Sequence, residues 1–170
     1  MHDLSVVIPV QNEEDNIRML IDEVRQSLDG VLDYELIYVN DGSTDSTLEI
    51  LQEYRSGFPL LRIYSHQTGV GQSTAVRTGI IHAQSPVIAT LDGDGQNDPA
   101  DIPALYQALI ANADAGVVLV NGYRKERKDT FIKRISSKLA NGIRGWLLDD
   151  DTPDTGCGLK VFNRQAYLEI

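Results

Sequence analysis

The chain is poor in the residues that mark secreted and membrane-spanning proteins. It has one cysteine, Cys157, so no disulfide can form within it and a reducing compartment fits. No apolar run approaches the roughly 20 residues that a transmembrane helix needs. The first ten residues, MHDLSVVIPV, lack the basic start of a secretory signal and have the pattern of a buried strand. We therefore expect residues 1–170 to form one domain with a substantial core.

Positive charge is scarce outside one segment. The chain carries a net charge of −10, but residues 124–144 contain eight basic side chains against two acidic ones, which leaves −16 for the rest. An acidic body argues against a general nucleic-acid binder, whose basic surface is usually broad. It favours a local contact between the basic segment and an anionic partner. A solvated helix face is the alternative interpretation of this segment.

Short apolar runs rich in β-branched residues alternate with helix-like patterns along the chain. This alternation predicts an α/β fold, with a mainly parallel sheet and helices on both faces. Ligands of such sheets bind beyond the carboxyl ends of the strands. The runs predict strands at 4–10, 35–40, 61–65, 86–92, 116–122 and 158–162, and helices at 13–28, 44–54, 70–83, 101–112 and about 130–147, with another beginning at 163.

The acidic stretch LDGDGQNDP directly follows a predicted strand. An EF-hand calcium loop that began at Asp92 would need glycine at its sixth position and glutamate at its twelfth. The chain has Asn97 and Pro103 there, so this interpretation fails. Strand geometry instead lets Asp92 and Asp94 point the same way. Two close carboxylates repel each other unless a cation lies between them, and hard oxygen ligands suit Mg²⁺ or Mn²⁺.

Such an ion keeps open positions that a diphosphate can fill. Gln96 would add a neutral oxygen nearby. The alternative for the same stretch is a polar turn with a helix cap at Asp98 or Asp101.

Three other strand ends carry polar or glycine-rich sequence. Asp41, in VNDGSTDST, could accept hydrogen bonds from a ribose or a base, and Ser43 or Thr44 could cap the next helix. Pro9 should end the first strand because proline has no N–H to donate. Glu13 fits a helix N-terminus as well as a ligand site. The glycine-rich stretch TGVGQSTAVRTG lacks the Gly-Lys-Ser/Thr sequence of a P-loop.

The order and spacing of these motifs resemble the inverting family 2 glycosyltransferases with the GT-A fold. The chain looks most similar to the polyprenyl-phosphate sugar synthases, of the dolichol-phosphate mannose or glucose synthase type. The resemblance spans nearly the whole chain. It rests on the motifs PVQNEE, VNDGSTDST, GQSTAVRTG and LDGDGQNDP, with YRKERKD, KRISSKLAN and DTGCGLKVF pointing to the subgroup.

The resemblance implies a role for each matching residue. A nucleotide pocket is implied first, then the D-x-D motif and its metal, then arginines that meet phosphates. These roles fall on Pro9, Asn12, Glu13 and Gly71 for the nucleotide, Asp41 for its base or ribose, Asp92 and Asp94 for Mg²⁺ or Mn²⁺ with help from Gln96, and Arg124 and Arg134 for phosphates.

The implied reaction moves a hexose from GDP-mannose or a UDP-sugar to a polyprenyl or dolichyl phosphate. Processive members carry a Q-x-x-R-W motif, which this chain lacks, so processive polymer synthesis is not expected. Members usually continue into amphipathic or membrane segments, so we expect a C-terminally truncated catalytic domain. By this resemblance the protein would be cytoplasmic, or peripheral at the cytoplasmic face of a membrane.

Other functions fit parts of the pattern. A transferase acting on a sugar hydroxyl would need a base, for which Asp154 is the candidate. A sugar-nucleotide-forming nucleotidyltransferase should have a basic glycine-rich loop after the first strand, where this chain has the acidic QNEED. A non-catalytic receiver-type signalling domain, which also binds Mg²⁺, should have an acid after the third strand, where this chain has YSHQTG.

Overall fold

A computed structural model describes residues 2–122 and 157–169. The basic helix predicted at about 130–147 lies outside these residues. Strands and helices alternate through the first 111 residues. The strands are β1 (Leu4–Val10), β2 (Tyr34–Asp41), β3 (Leu61–His66), β4 (Val87–Thr90), β5 (Leu119–Asn121) and β6 (Lys160–Asn163), and the helices are α1 (Ile17–Leu28), α2 (Thr47–Gly57), α3 (Gln72–His82), α4 (Ile102–Ala111) and α5 (Arg164–Leu168).

The described strands form one sheet with the order β3-β2-β1-β4-β6-β5. The strands β3, β2, β1 and β4 are mutually parallel, so their carboxyl ends lie along one edge. β6 runs antiparallel between β4 and β5. The prediction of a mainly parallel sheet is confirmed, whereas the insertion of β6 is a feature that strand prediction alone does not give.

Two apolar layers cover the two faces of the sheet. One layer joins α1, α2 and α4 to the even-numbered residues of β1. The other joins α3 to Val7, Ile37 and Val39. α1 buries the five apolar residues that its helical spacing predicts, because they recur on one side of the helix. Helices on both faces therefore confirm the predicted α/β arrangement.

Two predictions about where secondary-structure elements end or begin are wrong. The range 4–10 predicted for the first strand is confirmed, but the end expected at Pro9 is wrong because β1 continues to Val10. On one side of β1, Pro9 pairs with Val39 of β2. On the other side, the pairing of β1 with β4 ends at Val7, so no residue of β4 lies opposite Pro9 to accept a hydrogen bond from it. The cap predicted at Asp101 makes no side-chain hydrogen bond, because a 3-10 turn precedes α4. Asp98 caps that turn by accepting from the Ala100 N–H at 2.9 Å.

The start of α2 also differs from the prediction. Neither Ser43 nor Thr44 caps the helix, which begins at Thr47. The Thr47 N–H donates to Asp45 at 3.0 Å, and the Ser46 N–H donates to Glu14 at 2.9 Å. Carboxylates from two loops thus satisfy the helix N-terminus, where negative charge is stabilised.

Candidate functional site

The carboxyl ends of β1, β2 and β4 lie side by side at one edge of the sheet. The loops that follow them carry most of the residues singled out from the sequence. Asp41 is the last residue of β2, and Asp92 and Asp94 follow β4. The topology therefore brings the acidic strand ends to one edge, as expected for a ligand site in an α/β sheet.

Asp41 is 3% exposed, and protein donors surround its carboxylate. The backbone N–H of Gly71 donates to it at 2.8 Å, and that of Val70 at 3.0 Å. His66 Nδ1 lies 2.7 Å from its Oδ1. Burial alone would raise the pKa of the Asp41 carboxyl, but these hydrogen bonds outweigh it and hold the pKa below its ordinary value.

His66 connects this carboxylate to helix α3. An ionised Asp41 can only accept, so the His66 Nδ1 carries the proton between them. The other ring nitrogen of His66 lies 3.0 Å from the Thr78 hydroxyl. That hydroxyl also lies 3.0 Å from the Thr74 carbonyl oxygen. The end of β2 is therefore fixed to the helix through a continuous chain of polar contacts.

The turn before α3 joins Asp41 to the acidic stretch after β4. Gly71 has φ of 96°, a conformation that residues with a side chain rarely adopt. Its N–H points to Asp41, while the next side chain, Gln72, donates to Asp92 Oδ1 at 2.7 Å. One turn of the chain thus contacts two of the predicted ligand carboxylates.

Asp92 lies against the segment that begins at Cys157. A Cβ on Gly158 would overlap the Asp92 carboxylate, so a side chain there would displace Asp92 from its present position. Thr90 donates from its hydroxyl to the Gly158 carbonyl oxygen at 2.9 Å. The buried Asn97 accepts from the Asp92 N–H at 3.4 Å and donates to Cys157 Sγ at 3.7 Å. These contacts fix the backbone that carries Asp92.

Asp94 and Gln96 lie on the turn that follows. Asp94 is exposed and accepts from the Gln96 N–H at 3.0 Å. Gln96 lines a shallow cavity beside Glu23 of α1, whereas Asp92 lines a cavity on the α3 side. Gln96 therefore lies beside residues of α1. Within residues 2–122 and 157–169, no three His, Cys, Asp or Glu side chains form a group that could hold a metal ion.

The polar residues predicted to line a nucleotide pocket connect the first two strand-end loops. Asn12 has φ of 56°, a left-handed conformation that asparagine tolerates better than most residues. Its N–H donates to the Ser43 hydroxyl at 2.9 Å, and its side-chain oxygen accepts from the Thr44 N–H at 2.8 Å.

The Glu13 N–H donates to the Thr47 hydroxyl at 2.9 Å. The Glu13 carboxylate accepts from its neighbour Asn16 at 2.6 Å, and Pro9 lies buried within β1.

A cavity of about 400 Å³ opens beside Asp92 on the α3 face of the sheet. Among the described residues, its polar lining includes Gln72, Asp92 and Lys160. Apolar side chains, including Phe162 and Tyr167, line other parts of it. The cavity therefore offers polar groups and an apolar surface to the same ligand.

Three residues predicted from the sequence lie outside the described residues. They are Arg124 and Arg134, predicted to meet phosphates, and Asp154, the candidate base.

Sequence reasoning missed four residues of this edge. His66, Gln72 and Asn97 are ordinary polar residues in the sequence, and their partners are 5 to 60 positions away. Gly158 contacts a carboxylate 66 positions earlier in the chain. The available signals were the position of His66 at a strand end and the presence of the other three residues in motifs that carry the resemblance. None of the described helices is long and apolar enough to span a membrane.

Comparison with known proteins finds a matching family model and curated relatives that are named as sugar transferases or synthases. A family model described as Glycosyl transferase family 2 matches residues 5–170. The dodecaprenyl-phosphate galacturonate synthase of Rhizobium johnstonii is 40% identical across 99% of this chain and 50% of its own length. The undecaprenyl-phosphate 4-deoxy-4-formamido-L-arabinose transferase of Edwardsiella ictaluri is 35% identical across 94% of this chain and 48% of its own length. The chain spans about half the length of these curated relatives.

Solved structures share the fold. A mannosyltransferase from Pyrobaculum calidifontis, in complex with GDP-Man and Mn²⁺, superposes with a TM-score of 0.73 at 21% identity, covering 99% of this chain and 46% of that one. Glucosyl-3-phosphoglycerate synthase from Mycobacterium tuberculosis, in complex with UDP, superposes with a TM-score of 0.70 at 24% identity, covering 96% and 57%. The predicted GT-A fold is confirmed. Both the family match and the sequence identity to curated relatives show that this chain belongs to glycosyl transferase family 2.

Proposed function

We propose that this chain is the catalytic domain of an enzyme that transfers a sugar from a nucleotide-diphosphate sugar to a polyprenyl phosphate. The observation that carries the proposal is the single turn that contacts both Asp41 and Asp92 at the carboxyl edge of the sheet. This turn links Asp41, which is proposed for the base or ribose, to Asp92, the first acid of the proposed D-x-D motif. The relatives named for dodecaprenyl and undecaprenyl phosphate support the acceptor class.

The donor is proposed as a class. The two curated relatives are named for galacturonate and for 4-deoxy-4-formamido-L-arabinose, whereas the sequence resemblance pointed to mannose or glucose. Among the solved neighbours, one is in complex with GDP-Man and another with UDP. These differences support a nucleotide-diphosphate sugar in general and favour neither base.

The residues of the D-x-D motif fit a divalent cation. Asp92 and Asp94 present carboxylate oxygens, the ligands that Mg²⁺ and Mn²⁺ prefer. The substrate diphosphate would complete the set, with Gln96 as the predicted neutral ligand. When bound, the cation supplies electrostatic stabilisation of the charge on the departing diphosphate. Neighbours that are solved with Mn²⁺ support its use.

The acceptor chemistry sets what the protein must provide. A bond forms between the anomeric carbon and a phosphate oxygen of the acceptor, while the bond to the nucleoside diphosphate breaks. A phosphate is already ionised at neutral pH, so this attack needs no strong base. It does need cations that hold the acceptor and offset repulsion between the two anionic substrates. Arg124 and Arg134, in the basic segment, are proposed for this, and a polyprenyl acceptor would place the enzyme at a membrane surface.

The experiment measures sugar transfer to undecaprenyl phosphate in the full natural protein. UDP- and GDP-sugars are screened with Mn²⁺, and the wild type is compared with Asp94→Asn. We expect Asp94→Asn to lower kcat at least about 100-fold because a metal ligand is lost. Asp98→Asn is the matched control, since it removes a carboxylate of the same loop that only caps a turn.

Equal turnover by Asp94→Asn and the wild type would remove Asp94 from the site. Transfer to a sugar hydroxyl and not to undecaprenyl phosphate would replace the proposed acceptor class.

A further inference from the structure

Lys160 occupies a position that the proposed roles leave unused. It is the first residue of β6 and pairs with Thr90, two residues before Asp92. It is half-buried and lines the same cavity as Asp92 and Gln72. Among the described residues that line this cavity, Lys160 is the only cationic side chain.

The alternation of β6 places this lysine on the α3 face of the sheet. Lys160 and Phe162 both line the cavity, whereas Val161 between them is fully buried in the opposite apolar layer. This follows from strand geometry, in which successive side chains point to opposite faces. Because β6 is antiparallel to β4, its first residue lies near the carboxyl end of β4, close to the D-x-D motif.

The Lys160 ammonium retains capacity to bind an anion. It donates one hydrogen bond to the Cys157 carbonyl oxygen. An ammonium has three N–H donors, so two have no hydrogen-bond partner among the residues that the structure describes. Among the described carboxylates, none forms an ion pair with it. The bond to Cys157 anchors the ammonium near Gly158, which packs against the Asp92 carboxylate.

We propose that Lys160 binds a phosphate oxyanion of a substrate in this cavity. The role rests on the proposed function, in which donor and acceptor both carry phosphate. A phosphate is a stronger partner for an ammonium than a neutral carbonyl, because the opposite charges add Coulombic attraction to the hydrogen bond. The phosphate is either that of the donor diphosphate or that of the lipid acceptor, and the chemistry of recognition is the same.

The experiment titrates Lys160→Met with separate probes for the two phosphates. Pyrophosphate with Mn²⁺ stands for the donor, and farnesyl phosphate in detergent stands for the acceptor, with farnesol as the probe without phosphate. Arg77→Met is the matched control, because Arg77 is an exposed cation of α3 that does not line the cavity. Circular dichroism confirms that each variant is folded.

We expect Lys160→Met to weaken one phosphate probe by roughly 10- to 100-fold, the range for hydrogen bonds to charged groups. Farnesol binding should not change, and Arg77→Met should match the wild type. Loss of pyrophosphate affinity assigns Lys160 to the donor, and loss of farnesyl phosphate affinity assigns it to the acceptor. Lys160→Arg should restore part of the lost affinity because it restores the charge.

Unchanged affinity of folded Lys160→Met for both phosphate probes would overturn the proposal and leave Lys160 as a backbone anchor for Cys157. That result leaves the proposed function intact. A wild type that binds neither phosphate probe would contradict the proposed function as well.

Discussion

Strand β2 carries a buried carboxylate near each end, and the two have different partners. Glu35 near its start is 1% exposed, and Asp41 at its end is 3% exposed. Both lie on the α3 face, since they are six residues apart in a strand. Glu35 accepts from the Gln84 N–H just after α3, and Asp41 accepts from the Gly71 N–H just before it. The same helix is therefore held at both ends by acids of one strand.

The neighbours of the two acids explain why only one belongs to the candidate site. Glu35 is paired with the Arg62 guanidinium and accepts from the Ser5 hydroxyl at 2.6 Å. Its charge is thus balanced by a cation on the next strand. Asp41 instead contacts His66 and accepts from the Gly71 N–H. The side chain of Gln72, the residue after Gly71, contacts Asp92. The buried acid at the amino edge contacts neighbouring strands of the sheet, whereas the one at the carboxyl edge also fixes the turn before α3.

Removing the charge of Glu35 should have the largest effect on stability. In Glu35→Gln an amide N–H₂ would face groups that all donate, from Ser5, Arg62 and Gln84. We expect the free energy of unfolding to fall by about 3 kcal/mol, as when one partner of a buried ion pair is lost. Urea unfolding measures it, with the exposed Glu49→Gln as a control that should change stability by less than about 1 kcal/mol. A loss below about 1 kcal/mol for Glu35→Gln would show that this network is not a stability element.

Lowering the pH should weaken the same Glu35 network, with a smaller effect on the free energy of unfolding than the substitution has. Burial tends to raise the pKa of Glu35, but hydrogen bonds from Ser5 and Gln84 and the Arg62 ion pair hold it below its ordinary value of 4.5. The carboxylate therefore contributes its full stability above pH 4.5 and loses it as the pH falls further through the lowered pKa. The stability gap between wild type and Glu35→Gln should narrow below pH 4.5 in urea titrations. A gap that stayed constant down to pH 2.5 would contradict this coupling.

The sequence predicted which segments form strands better than it predicted the order of the strands in the sheet and where each strand ends. Continuous apolar runs gave the first four strands, because strands buried on both faces need apolar residues on both sides. It could not show that β6 lies between β4 and β5, because strand order depends on contacts between distant segments. Pro9 misled the prediction, since its cost depends on whether a neighbouring strand requires its N–H.

The location of the candidate site could be predicted for a related reason. Asp41 and Asp92 follow predicted strands, and parallel topology places the ends of those strands at the same edge of the sheet. The sequence could not show that a glycine turn joins these two residues. Nor could it show that Gln96 lies beside residues of α1, because that depends on how the turn after Asp94 folds. Glu35 looked like an ordinary polar residue of a strand, and its burial depends on Arg62, 27 positions away.

The most direct test of the central claim is a calorimetric titration of UDP and GDP, each with Mn²⁺, into wild type, Asp41→Asn and Glu35→Gln, all verified as folded. The account predicts that Asp41→Asn weakens the nucleotide that the wild type prefers by about tenfold, or ~1.4 kcal/mol. Glu35→Gln should bind within about twofold of the wild type, since its carboxylate lies at the opposite edge of the sheet. Equal weakening in both variants, or none in Asp41→Asn, would contradict the assignment of the carboxyl edge as the donor site.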